Sequence, residues 1–191
     1  HIKDLDAKKI CNLKKVLVNL EVSMNKDIVK KALKIKPNFI CIVPENRKEV
    51  TTEGGLKLEN NKKKLKEIIK KFKKAKIRTS LFMDTSEKGI YAAALTGTNR
   101  IELYTEDYAV KHKVTGEDAV IPYARAATLA HGLGLGINAG HDLDLSNLKD
   151  FSNNVPHLDE VSIGHALISD ALYMGLSNAV AKYLACLNKE V

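Results

Sequence analysis

Two rhythms of apolar residues alternate along this chain: helical spacing on one side of a segment, and short unbroken apolar runs. The first rhythm predicts a helix over about Asp4–Lys14, with Asp4 near its N-cap and Leu5, Ile10 and Leu13 facing inward. The run Val16–Val22 predicts the first strand, and Asn25 caps a helix that reaches about Lys34 before Pro37. Asn38–Val43 predicts a second strand, closed by Pro44 and followed by a long polar loop from Glu45 to about Asn60. A lysine-rich helix then runs to about Lys74, and Ile77–Met83 is a third strand. Thr85 or Ser86 caps a helix through Ala92, Ala93 and Ala94, and Arg100–Tyr104 is a fourth strand.

Beyond it the pattern gives a second long loop from Thr105 to about Gly116, then a helix over roughly Ile121–Ala130 with Pro122 in its first turn. Gly136–Ala139 is a fifth strand, Leu145–Phe151 a short helix, Asp159–Ile163 a sixth strand, and about Ala166–Leu187 one final helix. Strand and helix alternate throughout, which requires parallel pairing and right-handed crossovers. No stretch reads as a linker, so 191 residues make a single domain. Six strands suit an open doubly wound sheet, whereas a (βα)₈ barrel needs two more. The pattern leaves both open, although a chain opening on a helix reads as though βα units precede it.

Composition narrows the function. Hydrophobic residues make up 45% and charged residues 28%, with no apolar run of membrane-spanning length and no signal peptide. Cys11, Cys41 and Cys186 lack metal-type spacing and read as reduced core thiols of a cytosolic protein. The formal charge of +8 fits nucleic acid or small anionic substrates. Much of the excess lies on the Lys62–Lys74 helix between Leu65, Ile68, Ile69 and Phe72, where it forms a solvated face. Aromatic residues are 5% and Trp is absent, which leaves few platforms for stacking bases.

The residues suited to chemistry stand near strand ends. Glu21 closes the first strand and Glu102 interrupts the fourth, each in an otherwise apolar run. His141 follows Gly140 after the fifth strand, and Gly164-His165 leads into the last helix. Carboxylates and histidines placed there suit proton transfer, and helix-start amides suit a phosphate. The hydroxyls and paired glycines of the Glu45–Asn60 loop could wrap a phosphate, and its length suits a lid. No histidine and carboxylate cluster has metal-ligand spacing, and His112, His131 and His157 stay outside the set.

The segment Val43-Pro44-Glu45-x-Arg47-x-Glu49-Val50-Thr51-Thr52-Glu53-Gly54-Gly55-Leu56 resembles the hallmark loop of the pyridoxine 5′-phosphate synthase family. Asn19-Leu20-Glu21, Ile101-Glu102, Asn138-Ala139-Gly140-His141 and Ile163-Gly164-His165-Ala166 follow in that family's order. The resemblance implies an α/β fold of the (βα)₈ TIM-barrel type, a homo-octamer built from dimers, and a cytoplasmic enzyme of vitamin B6 biosynthesis. The implied transferase-type reaction condenses 1-deoxy-D-xylulose 5-phosphate with 3-amino-2-oxopropyl phosphate. Its products are pyridoxine 5′-phosphate, inorganic phosphate and water, without a metal or organic cofactor. The implied partners are these small phosphorylated molecules, with neither nucleic acid nor membrane. By resemblance Glu21 is a proton acceptor, His141 a proton donor and Glu102 a transition-state stabiliser. Thr51 and His1 match contacts to the deoxyxylulose phosphate, and Asp142, Gly164 and His165 match positions that hold the aminoketone phosphate.

Two departures stand out. The family begins with two strands that this chain lacks, including a further catalytic histidine, so an incomplete barrel is expected. Asp142 also replaces a usual Gly, and only a backbone N–H contact carries over there. The competing expectations are another phosphate-binding barrel synthase or isomerase, and, from a different class, a basic RNA-binding module with steep salt dependence.

Overall fold

The computed structural model describes residues 2–44, 54–58 and 61–187. The strands are β1 (Asn19–Val22), β2 (Phe39–Ile42), β3 (Arg78–Met83), β4 (Arg100–Tyr104), β5 (Gly136–Gly140) and β6 (Leu158–Ser162). They form a six-stranded sheet in chain order, β1-β2-β3-β4-β5-β6. Pairing is parallel between β1 and β2, β2 and β3, and β5 and β6, as helical crossovers require. All six predicted strands are present: β1, β2 and β3 are shorter than predicted, β4 matches, β5 runs one residue further to Gly140, and β6 starts and ends one residue earlier. The chain divides into two compact units, His1–Glu102 and Leu103–Val191.

The first unit contains α1 (Asp4–Asn12), α2 (Lys26–Ile35), α3 (Lys62–Lys74) and α4 (Glu87–Ala94). Asn25 Oδ1 accepts from the Asp27 amide at 2.9 Å and caps α2, while Ser86 Oγ accepts from Gly89 N at 3.3 Å at the head of α4. Leu65, Ile68, Ile69 and Phe72 bury the apolar face of α3, leaving its lysines to solvent. Burying each such side chain contributes about 1.5–3 kcal/mol. The core continues through Ile40, Ile42 and Leu81 of β2 and β3.

Helix α1 departs from expectation. Ala7 is its buried residue, whereas Leu5, Ile10 and Leu13 are exposed, as are Val16 and Leu17 ahead of β1. Helical spacing identifies an apolar face but not what covers it. Here α1 meets α2, with Asp4 paired to Lys31 at 2.7 Å, and that contact uses the small residue.

The second unit contains α5 (Glu106–Thr115), a 3₁₀ turn (Gly116–Val120), α6 (Ile121–Gly132), α7 (Leu148–Asn154), α8 (His165–Met174) and α9 (Leu176–Leu187). The expected loop after Thr105 is therefore helix α5. Its periodicity is hidden because Val110 is 60% and Val114 85% exposed, opposite the buried Tyr108 and Ala109. Tyr108 anchors the unit: its ring meets Phe151 at 4.9 Å and Tyr123 at 5.8 Å, and its hydroxyl donates to the Asn147 carbonyl at 2.7 Å. The single final helix is two helices, interrupted at Gly175, whose φ of 82° suits glycine. Tyr183 on α9 ties them together by donating to Asp170 Oδ2 at 2.8 Å.

Candidate active site

Register sets the first group of polar residues. Glu21 pairs with Cys41, and Cys41 pairs with Ser80, so one row crosses β1, β2 and β3. Side chains in one row of a parallel sheet share a face. The carboxylates of Glu102 on β4 and of Glu21 both act electrostatically on the Cys41 thiol. Glu21 is exposed at the outer strand, whereas Cys41 is 1% and Glu102 2% exposed. Burial pushes the Cys41 thiol well above its ordinary pKa, and the carboxylates of Glu102 and Glu21 push it further the same way. Cys41 is therefore a neutral thiol at physiological pH.

Two positions earlier, Asn19, Phe39 and Arg78 form the next row, with the Arg78 guanidinium 4.1 Å from the centre of the Phe39 ring. Among the described residues, Asn19 Oδ1 and Ser80 Oγ are buried without a hydrogen-bond partner. Buried polar atoms are normally satisfied, so this face suits a polar ligand. A cleft of about 590 Å³ opens beside Glu21, lined by Asn19, Ser23, Lys31 and Pro44 among others.

Part of the hallmark loop is also placed. Gly55 lies so close to β3 that a Cβ there would stand 2.5 Å from Asp84 N and 2.6 Å from Met83 Cα. Its amide donates to Asp84 Oδ1 at 3.2 Å, and the Leu56 amide donates to the Phe82 carbonyl at 2.8 Å. Gly55 thus docks this part of the loop on the end of β3. Thr51 and His1, both expected to contact substrate, lie outside the described residues, as does most of the expected lid.

In the second unit His141 follows the last residue of β5 with φ at 93°, and Asp142 follows at 55°. Non-glycine residues rarely hold positive φ, and those that do cluster at functional sites. The turn is secured from both sides. Thr105 N donates to the Gly140 carbonyl at 3.0 Å, the Thr105 hydroxyl donates to the His141 carbonyl, and Asn147 Nδ2 donates to the Asp142 carbonyl at 3.1 Å. Tyr104 meets the His141 ring edge-on at 5.0 Å. His141 Nδ1 lies 3.5 Å from Asp142 Oδ2, and that carboxylate is half exposed.

Gly164 and His165 are exposed at the head of α8, where Gly164 is the N-cap and its carbonyl accepts from Ile168 N at 3.1 Å. The other histidines have partners elsewhere in this unit: His112 pairs with Asp150 at 2.7 Å, and His131 stacks on His157 at 3.6 Å.

The first unit thus pairs Glu21 with Cys41, whose thiol also feels the Glu102 carboxylate, and the second places His141 beside Asp142. Sequence reasoning missed the contributions of Cys41, Ser80, Tyr104, Thr105 and Asn147. The register that sets Cys41 beside Glu21 pairs Val22 with Ile42, one residue short of the predicted end of the second strand at Val43. Nothing local marks Thr105 or Asn147, whose partners lie in distant segments.

The family model described as "Pyridoxal phosphate biosynthesis protein PdxJ" matches residues 1–189. The chain is 46% identical to a protein of Christiangramia forsetii named pyridoxine 5′-phosphate synthase, over 98% of this chain and 79% of that one. Relatives with the same name from Parabacteroides distasonis and Pelagibacter ubique are 44% and 42% identical, over 98% and 99% of this chain and 79% and 80% of theirs. A solved structure described as a 4-hydroxy-2-oxoglutarate aldolase/2-deydro-3-deoxyphosphogluconate aldolase superposes with a TM-score of 0.64, over 97% of this chain and 78% of that one. At 14% identity that likeness concerns the fold alone. With the family model matched almost end to end, the chain belongs to the pyridoxal phosphate biosynthesis protein PdxJ family.

Proposed function

We propose that the protein is a pyridoxine 5′-phosphate synthase, condensing 1-deoxy-D-xylulose 5-phosphate with 3-amino-2-oxopropyl phosphate. The observation that carries this reading is the carboxylate of Glu21, in register with buried Cys41 and beside a cleft that Asn19 also lines. It occurs in a chain 46% identical to a relative of that name. Imine formation, loss of phosphate and water, and ring closure all require protons to be moved repeatedly. In this reading Glu21 accepts protons, His141 donates them, and the Glu102 carboxylate stabilises positive charge developing on the condensing nitrogen.

Thr51 and His1 contact the sugar phosphate, while Asp142, Gly164 and His165 hold the aminoketone phosphate. The ten-residue α8 supports the latter assignment through the open amides and positive dipole end at its head. The carboxylate of Asp142 repels an anion, so its backbone amide is the contacting group. Two phosphate handles supply binding energy remote from the reacting atoms, and the charge of +8 favours such substrates. The finer architecture in this reading is a (βα)₈ TIM barrel, supported by the chain-order parallel strands. A cytoplasmic homo-octamer belongs to the same reading. Among the described residues no helix is long and apolar enough to cross a membrane.

The test is turnover by Glu21→Gln and His141→Asn. Each should lower kcat by about 10²–10⁴-fold while changing KM far less. Near-wild-type turnover in either variant removes that residue's role.

A further inference from the structure

We propose that the lysines at the head of α3 form an electrostatic guide, which draws phosphorylated substrates to the strand ends of the first unit without touching the bound molecule. The inference rests on the functional reading above. α3 carries eight lysines against one acid, Glu67, a net +7 in a chain whose formal charge is +8. The positive charge of the protein is therefore concentrated on one helix. All eight lysines are exposed, and among the described residues none of them forms an ion pair. Their charge is left to act on solutes.

The placement of the helix aims that charge. Gly55 and Leu56 dock on Asp84 and Phe82 at the C-terminal end of β3. The chain then passes buried Leu58 and reaches Asn61, whose amide donates to the Leu58 carbonyl at 3.1 Å, just ahead of Lys62. Lys62, Lys63, Lys64 and Lys66 thus follow directly on the strand ends, where α/β folds hold their ligands. Lys70, Lys71, Lys73 and Lys74 lie about 12–18 Å along the helix from Lys62. Salt screens exposed charges over about 8 Å at physiological ionic strength, so the first group acts there and the second does not.

Helix stability works against this arrangement, which therefore serves something else. The first turn of α3 holds no acid, and Asn61 makes no side-chain cap. Lysines in that turn oppose the positive end of the helix dipole. Lys62 and Lys66, and Lys66 and Lys70, also repel one another at i,i+4 spacing. A concentrated positive field raises the local concentration of anions and their rate of capture. Both substrates of the proposed condensation carry a phosphate.

Two quadruple variants that change the net charge equally test the guide. One combines Lys62→Gln, Lys63→Gln, Lys64→Gln and Lys66→Gln; the other combines Lys70→Gln, Lys71→Gln, Lys73→Gln and Lys74→Gln. Circular dichroism confirms that both fold. At physiological ionic strength the first should lose about tenfold in kcat/KM for 1-deoxy-D-xylulose 5-phosphate with kcat unchanged, and the second less than about twofold. At about 1 M salt, where screening acts within about 3 Å, the first variant and wild type should converge. Equal losses in the two variants would show that net charge acts without regard to place, and would overturn the proposal. So would a first variant that matches wild type at physiological ionic strength, or one whose loss lies in kcat or persists at high salt. Wild type inactive towards both phosphorylated substrates removes the functional reading and this inference with it, whereas an active wild type indifferent to Lys62–Lys66 removes the guide alone.

Discussion

His141 holds a φ of 93° at the point where the hydroxyl of Thr105 donates a hydrogen bond to its carbonyl. A histidine in that conformation costs about 1–3 kcal/mol, so its neighbours must hold it there. Thr105→Val keeps the side-chain shape but removes the donor. The variant should lose about 1–3 kcal/mol of stability, because the carbonyl loses a buried partner. Turnover should fall about tenfold or more as the ring drifts. Denaturant unfolding and initial rates check both effects, and unchanged kinetics would show that this hydrogen bond does not position the imidazole.

Asp142 occupies a positive φ of 55°, a conformation that favours glycine. Asp142→Gly should leave turnover close to wild type and should not lower the melting temperature, since glycine adopts this conformation without steric cost. Asp142→Ala should be the less stable of the two by about 1 kcal/mol. A large loss of kcat in Asp142→Gly would instead assign a role to the carboxylate beside His141.

Gly55 tests the docking of the hallmark loop. A methyl group there collides with the backbone of Met83 and Asp84, which have little room to retreat. Gly55→Ala should cost about 1–3 kcal/mol by overpacking, visible as a lower denaturant midpoint. A stability equal to that of wild type would mean that the segment can shift off β3.

Tyr108 and Tyr183 supply a pH dependence. Burial is the largest cause raising both phenols above the ordinary tyrosine range, with Asp150 adding to the shift of Tyr108 and Asp170 to that of Tyr183. A phenol whose folded pKa exceeds its unfolded value stabilises the fold fully below the unfolded value, near 10. That contribution declines as pH rises from there towards the folded pKa. In a spectrophotometric titration, Tyr108 and Tyr183 should ionise late or only on unfolding. Tyr183→Phe should remove one of these late events. Six phenols ionising together in folded protein would contradict the packing around both rings.

The fold was largely legible because parallel strands covered by helices appear as short apolar runs, as at Phe39–Ile42 and at Leu81–Met83 within β3. Helix α5 was illegible for the converse reason. Val110 and Val114 face outward and cancel the periodicity that would have announced it. The inward assignment of Leu5, Ile10 and Leu13 failed because periodicity does not identify a covering surface. At the candidate site Glu21, Glu102 and His141 could be found as polar residues near strand ends. The resemblance supplied their roles. The pairing of Glu21 with Cys41 depends on strand register, and the turn at His141 depends on Thr105 and Asn147 from other segments. Neither relation has a local signature.

The most direct measurement is condensation itself. The protein is incubated with 1-deoxy-D-xylulose 5-phosphate and 3-amino-2-oxopropyl phosphate, while pyridoxine 5′-phosphate and inorganic phosphate are followed together. Both should appear in equal amounts, only when both substrates are present, and should fall together in Glu21→Gln. Phosphate release without pyridoxine 5′-phosphate, or no reaction of either substrate, would contradict the synthase assignment.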